Sequence, residues 1–175
     1  MDRAIVFLAT TLSVMGGPAL AAMTLVSADI RPDGPIAGQQ VYTRCGGQNV
    51  SPEVVWSGAP PGTKSLVLTM IDLDVKPHQW SHWIVVDLPP TAAAIPHGAR
   101  TLPGQARAIA SNFGATGYAG PCPPRGSGVH HYKFTIWAMP TLATTIAPDA
   151  KADTVAPSLA RRALGSASFV GVVKG

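Results

Sequence analysis

The sequence has few charged residues and no cluster of basic ones. Only 13% of its 175 residues are charged, the net charge is +4, and the longest basic run is Arg161-Arg162. This pattern argues against a nucleic-acid-binding protein. With 46% hydrophobic residues, the composition is also unlike that of a disordered chain. The length, with no internal repeat and no long linker, predicts a single domain.

The sequence also lacks a local signature of a serine hydrolase. No G-x-S-x-G segment occurs, and Ser81 and Ser127 are interpreted as ordinary loop serines. Two cysteines cannot form a structural zinc site by themselves. We therefore expect no enzymatic activity, and a metal-dependent hydrolase is kept as an alternative.

No apolar run is long enough to span a membrane, but the N-terminus carries a shorter one. Residues 4–14 are apolar after a short charged start, Gly16-Gly17-Pro18 breaks the run, and Ala19-Leu20-Ala21 offers a small-x-small cleavage pattern. We predict a signal peptide over residues 1–21 and a mature domain over residues 22–175. The protein would then be periplasmic or secreted, with no membrane-spanning segment after cleavage.

Cysteine is scarce, but both cysteines lie in loops rich in glycine and proline. Cys45 is followed by Gly-Gly, and Cys122 lies within Gly-Pro-Cys-Pro-Pro. In the oxidising surroundings of an exported protein, two such cysteines are expected to pair. Two free thiols are the alternative if the chain is not exported. We predict a Cys45–Cys122 disulfide between the two loops.

Strand-like runs separated by turn residues recur along the mature chain. The clearest are Lys64–Ile71, Trp83–Leu88 and Tyr132–Ala138; weaker ones are Thr24–Ser27, Val54–Trp56, Ala106–Ala110 and Phe169–Val173. One helix is predicted from about Pro157 to Leu164, with Pro157 in its first turn and Gly165 as its left-handed cap. The predicted class is mainly β with a short helix near the C-terminus.

Successive residues of a strand point to opposite faces of the sheet, and this alternation predicts the face on which each polar side chain lies. Asp72 continues an apolar face of its strand, and on the next strand His82 would share its face with Ile84, Val86 and Leu88. An antiparallel pair joined by residues 73–81 would bring Asp72 and His82 to the same end of the sheet. On the third strand, His130 and Tyr132 should face inward and His131 should face solvent.

Three kinds of site are compatible with these polar residues. Any one of the residues, taken alone, more often has a structural role than a functional one. A metal site would combine two histidines with Asp72 or Asp74. A Ser-His-Asp hydrolase would need a serine that the sequence does not mark. An anion pocket would use imidazole N–H groups, the Tyr132 hydroxyl and backbone amides of the Gly-rich loop. The aspartates would repel an anion unless they orient the histidines and keep them protonated, which favours a zwitterionic ligand.

Longer segments carry a resemblance to a known family. IDLDVKPHQWSHWIVVDLPP (71–90) and GYAGPCPPRGSGVHHYKFTIWAM (117–139) resemble the phosphatidylethanolamine-binding protein family, in its bacterial Raf-kinase-inhibitor-like branch. The stretch CGGQNVSPEVVWSGAPPGTKSLVLTMID and the ending ARRALGSASFVGVVKG are similar to the same branch. The resemblance implies a central antiparallel sheet, a smaller second sheet, and a small pocket at one end. In that family the pocket takes phosphate, phosphorylethanolamine, acetate or similar anions.

The resemblance also implies which residues bind the ligand. The positions that match family motifs are Asp72, Asp74, Trp80, His82, Tyr118, Gly120, Pro123, His130 and Tyr132. The acidic motif departs from the family pattern D-P-D-x-P, because Leu73 and Lys76 stand where the family has prolines. We therefore expect a less rigid loop with a solvated Lys76.

The function implied by the resemblance is binding. We expect an exported protein that binds a small anionic or zwitterionic ligand, such as a phosphorylated, phospholipid-like headgroup, and that modulates or inhibits a protein partner. The alternative is a protein that inhibits a kinase or protease through its surface, with a vestigial pocket. No cofactor is implied.

Overall fold

The computed structural model describes residues 22–114, 116–142, 146–147 and 152–175. The predicted signal peptide, residues 1–21, lies outside the described residues and stays a prediction. Within the described ranges, no helix has the length and apolar character needed to cross a bilayer.

The described chain forms two β-sheets and one α-helix, α1 (Ala152–Arg162), with a short 3₁₀ helix at Thr43–Cys45. The strands are β1 (Thr24–Val26), β2 (Gly34–Pro35), β3 (Val54–Ser57), β4 (Ser65–Asp72), β5 (Trp80–Leu88), β6 (Ala94–Ile95), β7 (Arg107–Ala108), β8 (Val129–Met139) and β9 (Gly165–Lys174). The large sheet has the order β2-β9-β8-β4-β5-β7, and the small sheet has the order β1-β3-β6. The pairs within β9-β8-β4-β5 are all antiparallel. The predicted fold class, with a central antiparallel sheet and a smaller second sheet, is confirmed.

Strand β4 lies at the centre of the large sheet and is buried along its whole length. Leu66 and Leu68 pack in a core cluster that includes Trp56 of the small sheet. Val67, between them, packs in a second cluster with Leu159 of α1. A strand covered on both faces reads as a continuous apolar run, which is why the run from 64 to 71 is the clearest strand in the sequence.

The helix differs from its prediction at both ends. Pro157 was expected in the first turn, but α1 begins at Ala152 and contains Pro157 in its interior. Val155 and Leu159 are buried against the large sheet, so packing of this face outweighs the hydrogen bond that a proline removes. Gly165 does not cap the helix and is instead the first residue of β9.

A β-bulge interrupts the pairing of β4 with β5 at the predicted site. Met70 lies opposite Trp83, whereas the next residue, Ile71, lies opposite Ser81. His82 is therefore the extra residue of the bulge, with no partner across from it in β4. Bulges of this kind re-aim a side chain locally.

The bulge changes the face on which His82 lies. Ile84 and Val86 pack in the cluster under α1, so the prediction that His82 shares their face is wrong. Leu88, the third residue named in that prediction, packs in the cluster that contains Tyr132, beyond a second shift in the β4–β5 register. The His82 ring instead contacts the ring of Tyr132, on the other face, with centroids 5.1 Å apart. The prediction that Asp72 and His82 meet at one end of the sheet is nevertheless confirmed, because both line the same cavity there.

The predicted disulfide between Cys45 and Cys122 is present. It joins the end of the 3₁₀ helix to the loop that precedes β8. Close to it, the backbone N–H of Tyr42 donates to the carbonyl oxygen of Pro121 at 3.0 Å. The two loops are therefore joined by one covalent link and a neighbouring backbone hydrogen bond.

Candidate functional site

A cavity of about 220 Å³ lies where β4 ends and where β5 and β8 begin. The C-terminal end of β4 lies beside the N-terminal ends of β5 and β8 because β4 pairs with both strands in an antiparallel arrangement. The cavity is lined by Asp72, Val75, Trp80, His82, Phe113, Cys122, Pro123, Pro124, His130 and Tyr132. Of the predicted ligand-binding residues, Asp74, Tyr118 and Gly120 are not part of this lining.

Asp72 and His130 form a buried polar pair. His130 Nδ1 lies 2.7 Å from Asp72 Oδ2, and their side chains are only 7% and 3% exposed, respectively. Asp72 Oδ1 accepts a hydrogen bond from the backbone N–H of Asp74 at 2.9 Å. His130 Nε2 lies 2.9 Å from the hydroxyl oxygen of Ser127. Both ring nitrogens of His130 therefore have protein partners.

His82 is held by backbone carbonyl groups of the loop before β8. Its Nδ1 lies 2.8 Å from the carbonyl oxygen of Ala119 and 3.2 Å from that of Gly120. Because a carbonyl oxygen only accepts, Nδ1 carries the proton, and Nε2 of the neutral ring is an acceptor. Burial lowers the pKa of His82 below its ordinary 6.5, against the opposing effect of those carbonyls and of Asp72. A pKa below 6.5 leaves the His82 ring predominantly neutral at pH 7.

Tyr132 contributes a buried hydroxyl group that no described residue holds at hydrogen-bonding geometry. The carboxylate of Asp72 lies close enough to interact with this hydroxyl, but not at that geometry. Burial, with the neighbouring charge of Asp72, raises the pKa of Tyr132, so the hydroxyl keeps its proton. A buried donor without an acceptor is costly, and a ligand oxygen in the cavity would relieve that cost.

Phe113 forms an aromatic wall of the cavity that is not among the predicted site residues. Its ring centroid lies 5.1 Å from that of His82 and 5.9 Å from that of Trp80. Phe113 lies in a loop, where no strand periodicity marks it. The preceding Asn112 anchors that loop to β5, since its side-chain oxygen accepts hydrogen bonds from the backbone N–H and the hydroxyl of Ser81 at 2.8 and 2.6 Å.

Tyr118 and Gly120 support the loop behind the cavity. The Tyr118 hydroxyl donates to the carbonyl oxygen of Gln40 at 2.9 Å. The N–H of Gly120 donates to the side-chain oxygen of Asn49 at 2.7 Å. A Cβ at position 120 would lie 2.0 Å from the Gln40 carbonyl oxygen, so a larger residue does not fit. These contacts position the carbonyl groups that hold His82.

Asp74 lies outside the cavity and pairs with His131. Its Oδ2 accepts from the backbone N–H of His131 at 2.7 Å and lies 2.9 Å from Nδ1 of the same residue. Partial burial opposes the effect, but these hydrogen bonds lower the pKa of Asp74. They also hold the loop in which Leu73 and Lys76 replace the family prolines. His131 is exposed, as predicted.

The cavity offers a defined set of polar groups to a ligand. Asp72 and His130 satisfy each other, the neutral His82 presents an acceptor, and Tyr132 presents a donor. An anion would accept from Tyr132, and it would meet a donor at His82 only once that ring is protonated. In the part of the chain that the structure describes, no three side chains of His, Cys, Asp or Glu are grouped as metal ligands.

Two facing sheets, with a small cavity that holds a few polar groups at one end of the central sheet, define a class of compact β proteins. Residues 26–174 match the family described as "Phosphatidylethanolamine-binding protein", and the chain belongs to this family. The resemblance found in the sequence motifs is thereby confirmed.

Relatives cover most of the chain. It is 37% identical to the UPF0098 protein YbcL of Escherichia coli strain K12 over 129 residues. This alignment covers 69% of the present chain and 70% of YbcL. It is 34% identical over 158 residues to LppC of Mycobacterium tuberculosis strain H37Rv, a protein named as a putative lipoprotein. That alignment covers 90% of the present chain and 75% of LppC. The crystal structure of E. coli YbcL, described as a new member of the mammalian PEBP family, matches with a TM-score of 0.80 and 31% identity, over 89% of this chain and 99% of that one.

Proposed function

We propose that this protein is an exported binding protein for small anions. Its ligand is a phosphate-like group, or a zwitterionic phosphorylated headgroup, held between Asp72, His82, His130 and Tyr132. The observation that carries the proposal is the buried Tyr132 hydroxyl, which lines the cavity near Asp72 and which no described residue holds at hydrogen-bonding geometry. The volume of the cavity is consistent with a small ligand. At about 220 Å³, it is smaller than the roughly 300–1,000 Å³ of pockets that bind drug-sized molecules. The cavity suits a headgroup rather than a whole lipid.

Binding of an anion should take up a proton at His82. The empty site keeps this ring neutral because burial lowers its pKa, whereas a bound anion favours the charged ring. Affinity should therefore rise as the pH falls, by up to about tenfold per pH unit above the pKa of the free site. A sulfate ester such as 2-aminoethyl sulfate is the appropriate probe, since it does not itself titrate between pH 5 and 8.

The measurement is an NMR titration of the histidine ring signals with 2-aminoethyl sulfate and with phosphorylethanolamine at two pH values. Signals of His82 and His130 should shift on binding, while those of the exposed His97 and His131 serve as internal controls. His82→Gln should remove most of the pH dependence. The absence of shifts at millimolar ligand, or shifts confined to His131, would refute the proposal.

Export is supported by the disulfide and by the lipoprotein-named relative. Fractionation of cells that express the full chain tests it. We expect the protein outside the cytoplasm, beginning at Ala22 and two hydrogen masses lighter than its reduced form. Recovery of the uncleaved chain with two titratable thiols from the cytoplasm would contradict the proposal.

A further inference from the structure

We propose that Ser127 is a nucleophile activated by His130, and that it forms a covalent acyl intermediate with small anionic esters. The Ser127 hydroxyl oxygen lies 2.9 Å from His130 Nε2, and His130 Nδ1 lies 2.7 Å from Asp72 Oδ2. Serine on one ring nitrogen and a carboxylate on the other is the connectivity that activates a serine hydroxyl in hydrolases. This activity goes beyond the binding of an anion in the cavity.

The imidazole at the centre of this chain is fixed on both sides. His130 is 6% exposed and Asp72 is 2% exposed. Asp72 is itself oriented by the N–H of Asp74, which donates to its other oxygen at 2.9 Å. Asp72 therefore acts as a positioning residue that presents Nε2 of His130 to Ser127. The adjacent His131 points outward to Asp74 and takes no part.

Ser127 itself is exposed on a tight turn, where a substrate can reach it. Gly126 and Gly128 flank it with φ values of 80° and 91°, a conformation that glycine adopts without strain. The backbone N–H of Gly128, the residue that follows the nucleophile, would serve as the donor to a developing oxyanion. The Ser127 hydroxyl donates to the carbonyl oxygen of Pro124 at 2.7 Å. Rotation of the hydroxyl hydrogen exchanges this acceptor for Nε2 without moving the oxygen.

A basic cleft beside the turn indicates the class of substrate. It has a volume of about 610 Å³, and its lining includes Arg44, Arg125, Lys174 and Gly175. Gly175 lies beside the turn, since its N–H donates to the carbonyl oxygen of Gly128 at 2.7 Å and a Cβ placed on it would lie 2.5 Å from the Ser127 hydroxyl oxygen. No ion pair to a described carboxylate neutralises these three cations. They would hold a carboxylate or phosphate carried by the ester.

The reaction consumes one ester and one water molecule. The Ser127 oxygen bonds to the ester carbonyl carbon while its proton passes to His130 Nε2. The bond from that carbon to the alkoxide oxygen breaks, and the alkoxide leaves as an alcohol with the proton from Nε2. Water then adds to the acyl carbon and gives its proton to Nε2. The Ser127 oxygen departs with that proton, and the acid is released.

The test is covalent labelling of the full-length protein with a fluorophosphonate probe, followed by peptide mass spectrometry. We expect one adduct on Ser127, none in Ser127→Ala, and labelling slower by about 100-fold or more in His130→Gln. His131→Gln is the matched control and should label at the rate of the unchanged protein. Asp72→Asn gives a second slowed variant that keeps the shape of the pair, should His130→Gln fold poorly.

A substrate comparison completes the test. The protein should cleave p-nitrophenyl hemisuccinate faster than the neutral p-nitrophenyl butyrate, and Arg125→Gln should reduce that preference while the exposed Arg100→Gln should not. No adduct on Ser127, or labelling at an unchanged rate in both His130→Gln and Asp72→Asn, would overturn the proposal. Phosphorylethanolamine binding is measured on the same preparation. Binding without labelling leaves the binding function standing and removes only the nucleophile.

Discussion

Replacing Cys45 and Cys122 by serine should lower the free energy of unfolding by about 2–4 kcal/mol. The disulfide joins residues separated by 77 positions, so its loss restores a large amount of conformational freedom to the unfolded chain. The folded chain should keep its sheets, because neither cysteine belongs to a strand. Urea denaturation of the double variant and of the unchanged protein, both at the same pH, measures the difference.

The same change should weaken ligand binding, because Cys122 lines the cavity beside Pro123. One backbone contact of this loop survives, since Tyr42 still donates to the carbonyl oxygen of Pro121. Gly120 also remains packed against Gln40. The cavity wall should therefore loosen without collapsing, and the affinity for 2-aminoethyl sulfate should fall several-fold.

Two controls separate the disulfide from the cysteine side chains. Reduction of the unchanged protein should reproduce the loss seen in Cys45→Ser/Cys122→Ser, since both open the same covalent loop. The double change Ser166→Ala/Ser168→Ala, at exposed positions away from the cavity, should leave stability and binding close to those of the unchanged protein. An unfolding free energy that stays the same after reduction would contradict the stabilising role.

Much of the sheet could be predicted because its strands are long and strongly patterned. Strand β4 is buried on both faces, and between Leu66 and Ile71 its only polar residue is Thr69, so it reads as a nearly continuous apolar run. Strand β8 alternates at its start, where His130 and Tyr132 are buried and His131 is exposed. Strands of two residues, such as β2 and β6, have no pattern of their own and exist only through their pairing with β9 and β3.

The site was predictable only in part, because its residues come from both strands and loops. Alternation was enough to identify Asp72 and His130, but the bulge at His82 inserts one residue and reverses the faces beyond it. Phe113 reaches the cavity from a loop, where hydrogen bonds distant in sequence decide its position. Ser127 is three residues before His130 across a glycine turn, and the contact of its hydroxyl with Nε2 of His130 depends on a turn conformation that no strand pattern marks.

His130→Ala and His131→Ala should differ strongly in stability, although the two histidines are neighbours. Removal of His130 leaves the buried Asp72 carboxyl without its imidazole hydrogen bond, and a buried polar group left without its partner costs about 1–3 kcal/mol, or more when it is charged. The His131–Asp74 pair is about half exposed, and such surface pairs contribute about 0–1 kcal/mol. Ligand affinity should follow the same order, since His130 lines the cavity and His131 does not.

A double-mutant cycle decides whether the loss at His130 comes from its pairing with Asp72. Asp72→Asn removes the charge that His130→Ala would leave unpaired, so Asp72→Asn/His130→Ala should be more stable than the sum of the two single losses predicts. The coupling should lie within the range of about 0.5–3 kcal/mol that is typical of residues in direct contact. Asp74→Asn combined with His131→Ala is the matched surface cycle and should show little coupling. Strictly additive losses at Asp72 and His130 would mean that the two side chains do not act as a pair. Such a result would contradict an arrangement of the cavity in which His130 is the partner of Asp72, while Tyr132 and His82 bind the ligand.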